Sequence, residues 1–326
     1  MKPKVFVTRL LPEVAMERIN SFCDADVWRG QLPPSREVIL RKVRDAEGLV
    51  CLLTDKIDAE VMSKAPHFRV ISNYAAGFDN IDVIEATKRR IIVGNTPDVL
   101  TETTADFTFA LMMAAARRVV EGDRNVRGGQ WKTWGPMILL GQDVHGATLG
   151  IVGLGRIGVA VARRAKGFGM KVLYYSRTRR MEAETKLGVQ YAEFDRLLTE
   201  SDFITLHVNL TLETFHLIGK EQLEKMKRTC VLVNTSRGQV VDNVALYEAL
   251  RVGSIAFAAL DVTEPEPIPA DHRLLTLQNL VITPHIASAS VKTRTEMALI
   301  AAENLIAGLK GELPPHAVNP EVLGRG

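Results

Sequence analysis

Short runs of β-branched and aliphatic residues alternate along the chain with stretches whose apolar positions recur every three or four residues, the periods of strand and of helix. "KVFVTR" (4–9), "GLVCLL" (48–53), "FRVIS" (68–72) and "RIIVG" (90–94) are the strand-like runs of the N-terminal part. A second series follows in "ATLGIVG" (147–153), "KVLYYS" (171–176), "DFITLHV" (202–208), "CVLVNT" (230–235), "AFAALDV" (256–262) and "NLVITPH" (279–285), with helical stretches such as "DNVALYEALRVG" (242–253) between most of them. Strands that alternate with helices imply parallel sheets, so the pattern predicts an α/β chain of two doubly wound parallel-sheet domains, the second with six strands. Between the series, 96–129 opens with proline and threonines and closes on paired glycines, which predicts one connecting helix. A last helix over 291–312 carries a stripe through Met297, Ile300 and Leu305, with Asn304 set aside from it.

Composition adds bounds to this plan. At 326 residues, 46% hydrophobic and 24% charged, the chain is long enough for two cores. A net charge of +3, with both signs interspersed, implies neither a nucleic-acid nor a membrane partner. The most apolar helical run, Phe109 to Ala116, is too short to span a bilayer. Cys23, Cys51 and Cys230 are far apart and mostly within apolar runs, without the spacing of a disulfide framework or a zinc site, and no metal is expected. No secretory leader opens the chain, and the expected compartment is the cytoplasm.

The first chemical motif is "GIVGLGRIG". Gly153, Gly155 and Gly158 follow a strand and open a helix, the order in which a tight turn, a close backbone approach and a helix N-terminus together take a pyrophosphate. The loop residues Gly153, Leu154, Gly155, Arg156, Ile157 and Gly158 are therefore expected to bind a dinucleotide. Downstream, where an acid would bind the ribose hydroxyls, the chain has "YYSRTRR". Ser176 takes the acid's place, and Arg177, flanked by Ser176 and Thr178, offers a planar cation and hydroxyls to a 2′-phosphate. NADP(H) is favoured, with NAD(H) still usable; the competing reading is a solvated charged loop.

Hydride exchange with a hydroxy or keto acid needs a proton donor and acceptor and a cation for the carboxylate. Three strand ends offer them: Arg237 in "NTSRGQVVD", Asp261 and Glu266 in "LDVTEPEP", and His285 in "TPHIASAS". Each could instead serve structure alone, by capping a turn or satisfying a buried group; their convergence on strand ends favours a site.

These motifs, with "NYAAGFDNID" (73–82) and "NTPDVLTETTAD" (95–106), resemble the D-2-hydroxyacid dehydrogenase family over nearly the whole chain, and within it most nearly the glyoxylate and hydroxypyruvate reductases. The resemblance implies a flavodoxin-like substrate domain from 1–98 and 288–326, and a Rossmann NADP-binding domain over 99–287. It implies His285 as acid/base, Glu266 as its carboxylate partner and Arg237 as the group on the substrate carboxylate and carbonyl. Leu53, Ala76 and Gly77 would join Arg237 and His285 around the substrate, and Thr235, Ser236, Asp261 and Ala287 would add cofactor contacts, Asp261 facing the nicotinamide. A small 2-keto or 2-hydroxy acid and a homodimer are the implied partners. Ala287 stands where the family commonly has glycine, and Asn209 where proline is frequent. Two alternatives remain. A phosphite dehydrogenase would normally carry a lysine where this chain has Ala76, and a nucleotide-sensing corepressor would not need the intact trio.

Overall fold

A computed structural model describes residues 1–324. The chain divides into two compact units, Met1–Leu100 with the stretch from Ala289 onward, and Thr101–Ser288. The breaks thus fall after Leu100 and Ser288, against expected breaks after 98 and 287.

The first unit holds strands β1 (Lys4–Val7), β2 (Asp24–Val27), β3 (Gly48–Cys51), β4 (Val70–Asn73) and β5 (Ile92–Gly94), all parallel, in the order β2-β1-β3-β4-β5. This is the flavodoxin-like order. The inner strands β3 and β4 are buried at every position, which is why they read as continuous apolar runs. Helix Val291–Lys310 packs against β3, β4 and β5 and against helix Glu13–Phe22. Ser290 starts it by accepting from the Thr293 N–H at 3.2 Å, and Gly311, at φ +77, ends it. Met297, Ala298, Ala301, Ala302, Leu305 and Leu309 form its buried face, and burying each larger one contributes about 1.5–3 kcal/mol. Asn304 belongs to that face after all. It is fully buried, donates to the Asn95 carbonyl at 2.8 Å and accepts from the His316 N–H at 3.2 Å. Ile300, expected in the stripe, is only partly buried.

The second unit holds β6 (Thr148–Val152), β7 (Lys171–Tyr175), β8 (Gln190–Tyr191), β9 (Phe203–Leu206), β10 (Val231–Asn234), β11 (Phe257–Leu260) and β12 (Leu280–Ile282). Its order is β12-β11-β10-β9-β6-β7-β8, again all parallel. The sheet has seven strands where the sequence pattern predicts six, because the two-residue edge strand β8 is too short to leave a periodic signal. The connecting helix is two helices, Thr101–Ala116 and Val119–Arg127, separated where Arg118 turns left-handed at φ 51. The first of these lies on helix Arg156–Gly167 and on β10 and β11, within the second unit. Strand order reverses between β6 and β9, and an open parallel sheet binds ligands beyond the carboxyl ends at such a point.

Candidate active site

The glycine loop leaves β6 at that reversal. Gly153 has φ +97, a conformation that a side chain resists, and a Cβ there would meet the His207 carbonyl at 2.6 Å. A Cβ on Gly158 would lie 2.2 Å from the Gly153 carbonyl, so the helix packs directly on its own turn. Gly155 differs, because a Cβ there meets nothing within 4 Å. It is the N-cap of helix Arg156–Gly167 and no side chain caps that end. The helix N-terminus therefore faces open space, the environment a pyrophosphate needs. Leu154 is buried and Ile157 packs into the core, whereas Gly155 and Arg156 are exposed. Thr235 is buried with its hydroxyl 3.0 Å from that of Thr108, and the Ser236 hydroxyl donates to Asn234 Oδ1 at 2.9 Å.

After β7 the three arginines separate into different roles. Arg179 is held by both oxygens of Glu184 at 2.8 Å and lies over the Tyr191 ring. Arg179, with the Tyr174 hydroxyl at 2.6 Å, draws the Glu184 carboxyl down to about 2. The same Tyr174 hydroxyl accepts from the Arg180 N–H at 2.7 Å, so the loop's far side is tied down. Ser176 donates to the Thr178 carbonyl at 2.7 Å and sets the turn from which the exposed Arg177 extends.

Acid/base groups gather past β10, β11 and β12. His285 Nδ1 lies 2.5 Å from Glu266 Oε1, which leaves Nε2 as the ring nitrogen for a reacting oxygen. His285 has φ 54, and its N–H donates to the carbonyls of Asp261 at 2.9 Å and Thr283 at 3.0 Å. Asp261, 1% exposed, accepts from the Thr283 hydroxyl at 2.6 Å and from the N–H groups of Ile286 and Ala287 at 2.8 and 2.7 Å. The sequence reading gave Asp261 to the nicotinamide; its side-chain bonds go to the 283–287 turn, which carries His285 in its left-handed conformation. Arg237 follows β10, where Asn234 accepts from the Ser236 N–H at 3.0 Å and donates to the Arg237 carbonyl at 2.8 Å. Ala287 is buried and Asn209 is exposed, its carbonyl accepting from the Thr214 hydroxyl at 2.6 Å.

Residues 109–287 match the family model described as "D-isomer specific 2-hydroxyacid dehydrogenase, NAD binding domain". The chain belongs to this family. It is an NAD(P)-dependent oxidoreductase whose residues fit a nicotinamide dinucleotide at the Gly153–Gly158 loop. The dehydrogenase is 61% identical to a glyoxylate reductase of Korarchaeum cryptofilum over 99% of this chain and 98% of that one. A glyoxylate reductase of Thermococcus litoralis is 54% identical, with the same shares covered. Among solved structures, a Thermus thermophilus protein superposes with TM-score 0.91 at 48% identity, covering 97% of this chain and 99% of the other. An NADPH-dependent glyoxylate/hydroxypyruvate reductase of Sinorhizobium meliloti, in complex with NADP and malonate, gives TM-score 0.87 at 31% identity, covering 100% and 99%.

The first unit of the dehydrogenase, taken by itself, holds another constellation. The carbonyls of Ala75, Ala76 and Gly77 accept from the Thr96 N–H at 2.9 Å, Asn95 Nδ2 at 2.6 Å and Asn73 Nδ2 at 2.9 Å. A planar trans peptide points its N–H opposite its carbonyl, so the N–H groups of Ala76, Gly77 and Phe78 face away from these partners. No acceptor claims them among the described residues. Leu53 sits half-buried in the turn Leu52–Asp55. Sequence reasoning found Leu53, Ala76 and Gly77 through the family motif but missed Asn73, Asn80 and Asn95, which hold those loops and look like ordinary turn residues in one sequence. Among the described residues, no group of three potential ligands could hold a metal ion, and no helix is long and apolar enough to cross a membrane.

Proposed function

We propose that this dehydrogenase reduces a small 2-keto acid, glyoxylate or hydroxypyruvate, to the 2-hydroxy acid, with NADPH preferred to NADH. The reading rests above all on the His285–Glu266 pair at 2.5 Å in a chain 61% identical to a glyoxylate reductase. When bound, the nicotinamide supplies the hydride. His285, held by Glu266 at Nδ1, gives the Nε2 proton to the developing alkoxide. Arg237 binds the substrate carboxylate and polarises the carbonyl, and the unclaimed N–H groups at Ala76 and Gly77 take the remaining carboxylate charge. Leu53 limits the size of the substituent. Asp261 keeps the 283–287 turn, and with it His285, in place.

The cofactor preference is supported by the division of labour after β7. Glu184 occupies Arg179, whereas Arg177 remains exposed beside Ser176 and Thr178. A 2′-phosphate there meets a guanidinium and the Thr178 hydroxyl, with Ser176 and no carboxylate in the ribose position. Three free, buried thiols suit a reducing, cytoplasmic setting. The deciding experiment follows absorbance of NADPH and of NADH on adding glyoxylate, hydroxypyruvate, pyruvate or phenylpyruvate, and of NADP⁺ or NAD⁺ on adding phosphite. The highest kcat/KM is expected for NADPH with glyoxylate or hydroxypyruvate; rapid phosphite oxidation or a clear preference for phenylpyruvate overturns the assignment.

A further inference from the structure

Two segments of the first unit, the Leu52–Asp55 turn and the Ala75–Phe78 loop, leave neighbouring strands β3 and β4, and one side chain links them, directly to the turn and through Asn73 to the loop. Asn80 Nδ2 donates to the carbonyls of Leu52 at 3.0 Å and Asp55 at 3.1 Å. Its amide also faces that of Asn73 in a reciprocal pair, Asn73 Nδ2 to Asn80 Oδ1 at 3.1 Å and Asn80 Nδ2 to Asn73 Oδ1 at 3.3 Å. Asn73 is fully buried, and its Nδ2 is the donor that holds the Gly77 carbonyl. The turn has its own brace. Asp55, 2% exposed, accepts from the Leu52 N–H at 2.8 Å and the Thr8 hydroxyl at 2.5 Å, and its N–H returns to the Leu52 carbonyl at 3.0 Å. A rotation of the Asn80 amide would break its bonds to the Leu52–Asp55 turn and to Asn73 at once, because its two hydrogens already serve three acceptors and its oxygen serves Asn73.

We infer that Asn80 is a positioning residue for substrate selection: through Asn73 it fixes the Gly77 peptide, and through the Leu52 and Asp55 carbonyls it fixes the turn that carries Leu53. The spacing between the carboxylate-binding amides and the wall at Leu53 is thereby set by one side chain that itself touches no substrate. This rests on the reading of Ala76, Gly77 and Leu53 as the substrate's surroundings. A small acid has few atoms with which to report a misplaced wall, so loosening the link acts on its binding first and on discrimination against larger acids second.

The test compares Asn80→Ala and the isosteric Asn80→Asp with wild type. Hydrogen exchange reads the link itself. Faster exchange is expected in both 52–57 and 74–80 in either variant, and loosening of one segment alone overturns the coupling. Kinetics read its consequence. The KM for glyoxylate should rise about tenfold or more, the scale of losing two hydrogen bonds, while kcat falls less and the kcat/KM ratio of phenylpyruvate to glyoxylate rises. NADPH affinity, measured by fluorescence, should stay at the wild-type value. If Asn80→Ala does not fold, Asn80→Asp decides, since it keeps the shape and removes the two donors. Unchanged KM and ratio, or equal losses in KM, kcat and cofactor affinity, sink the inference. A wild-type enzyme inert toward every keto acid sinks the functional reading instead, and the exchange data then still decide whether Asn80 couples the two segments.

Discussion

His285 Nδ1 is committed to Glu266, so a single ring nitrogen is left for proton transfer. His285→Ala is expected to lower kcat by roughly a hundredfold to ten-thousandfold while NADPH still binds, measured by steady-state kinetics and fluorescence titration. Loss of cofactor binding in parallel would point to a collapsed turn. Arg177 has a narrower task. Its removal should cost charged hydrogen bonds to a 2′-phosphate only, so Arg177→Ala should weaken kcat/KM for NADPH by about tenfold or more and leave NADH nearly unchanged. Equal losses with both cofactors would return the arginines to the status of a solvated loop. His207, beyond β9, offers a test of stability. Burial drives its imidazole down to about 3, and Nε2 is shielded with no partner. An unfolded histidine takes a proton near pH 6.5, so between about pH 6.5 and 3 the unfolded chain binds a proton that the folded chain refuses, and stability falls as pH drops through that window. His207→Gln should flatten the dependence of Tm on pH below about 6.5; a slope parallel to wild type would mean that the ring titrates normally.

At the scale of the element, the glycine loop separates two reasons for keeping glycine. Gly158→Ala forces a methyl group against the Gly153 carbonyl and is expected to destabilise by about 1–3 kcal/mol, seen as a lower Tm. Gly155→Ala meets nothing in the protein, so Tm should hold while cofactor affinity drops, because the space it fills is the approach to the helix N-terminus. The same loop shows what a single sequence can disclose. Strands buried on both faces, such as β3, β9 and β10, announce themselves as apolar runs, and the runs of β6, β10, β11 and β12 are followed by Gly153, Arg237, Glu266 and His285. The edge strands β2 and β8 do not. β2 is only half-buried and β8 has two residues, so neither has a hydrophobic pattern to read. The break at Arg118 is silent too, since its left-handed conformation is imposed by surroundings and not by glycine. Likewise Asp261 was legible as an acid at a strand end, but its bonds to Ile286 and Ala287 exist only once the chain has folded.

For the whole molecule, the expected homodimer has a candidate surface. Helix Val119–Arg127 and the residues after it leave Val126, Trp131, Trp134, Met137 and Leu140 exposed within one stretch of chain, the kind of surface that a partner covers. Sedimentation should give twice the chain mass, and Trp134→Asp with Met137→Asp should give a monomer; a wild-type monomer would reject the dimer. Chain order carries a different consequence. The first unit is closed by helix Val291–Lys310, whose buried face covers β3, β4 and β5. On the ribosome those strands emerge early and must wait until all of Thr101–Ser288 has been translated, about ten to forty seconds at ordinary elongation rates. The middle of the polypeptide can fold in that interval, while the N-terminal strands keep an apolar face open to chaperones or to other nascent chains. The part of the enzyme made first is thus completed last, and chains stalled before Ser290 are where aggregation should concentrate.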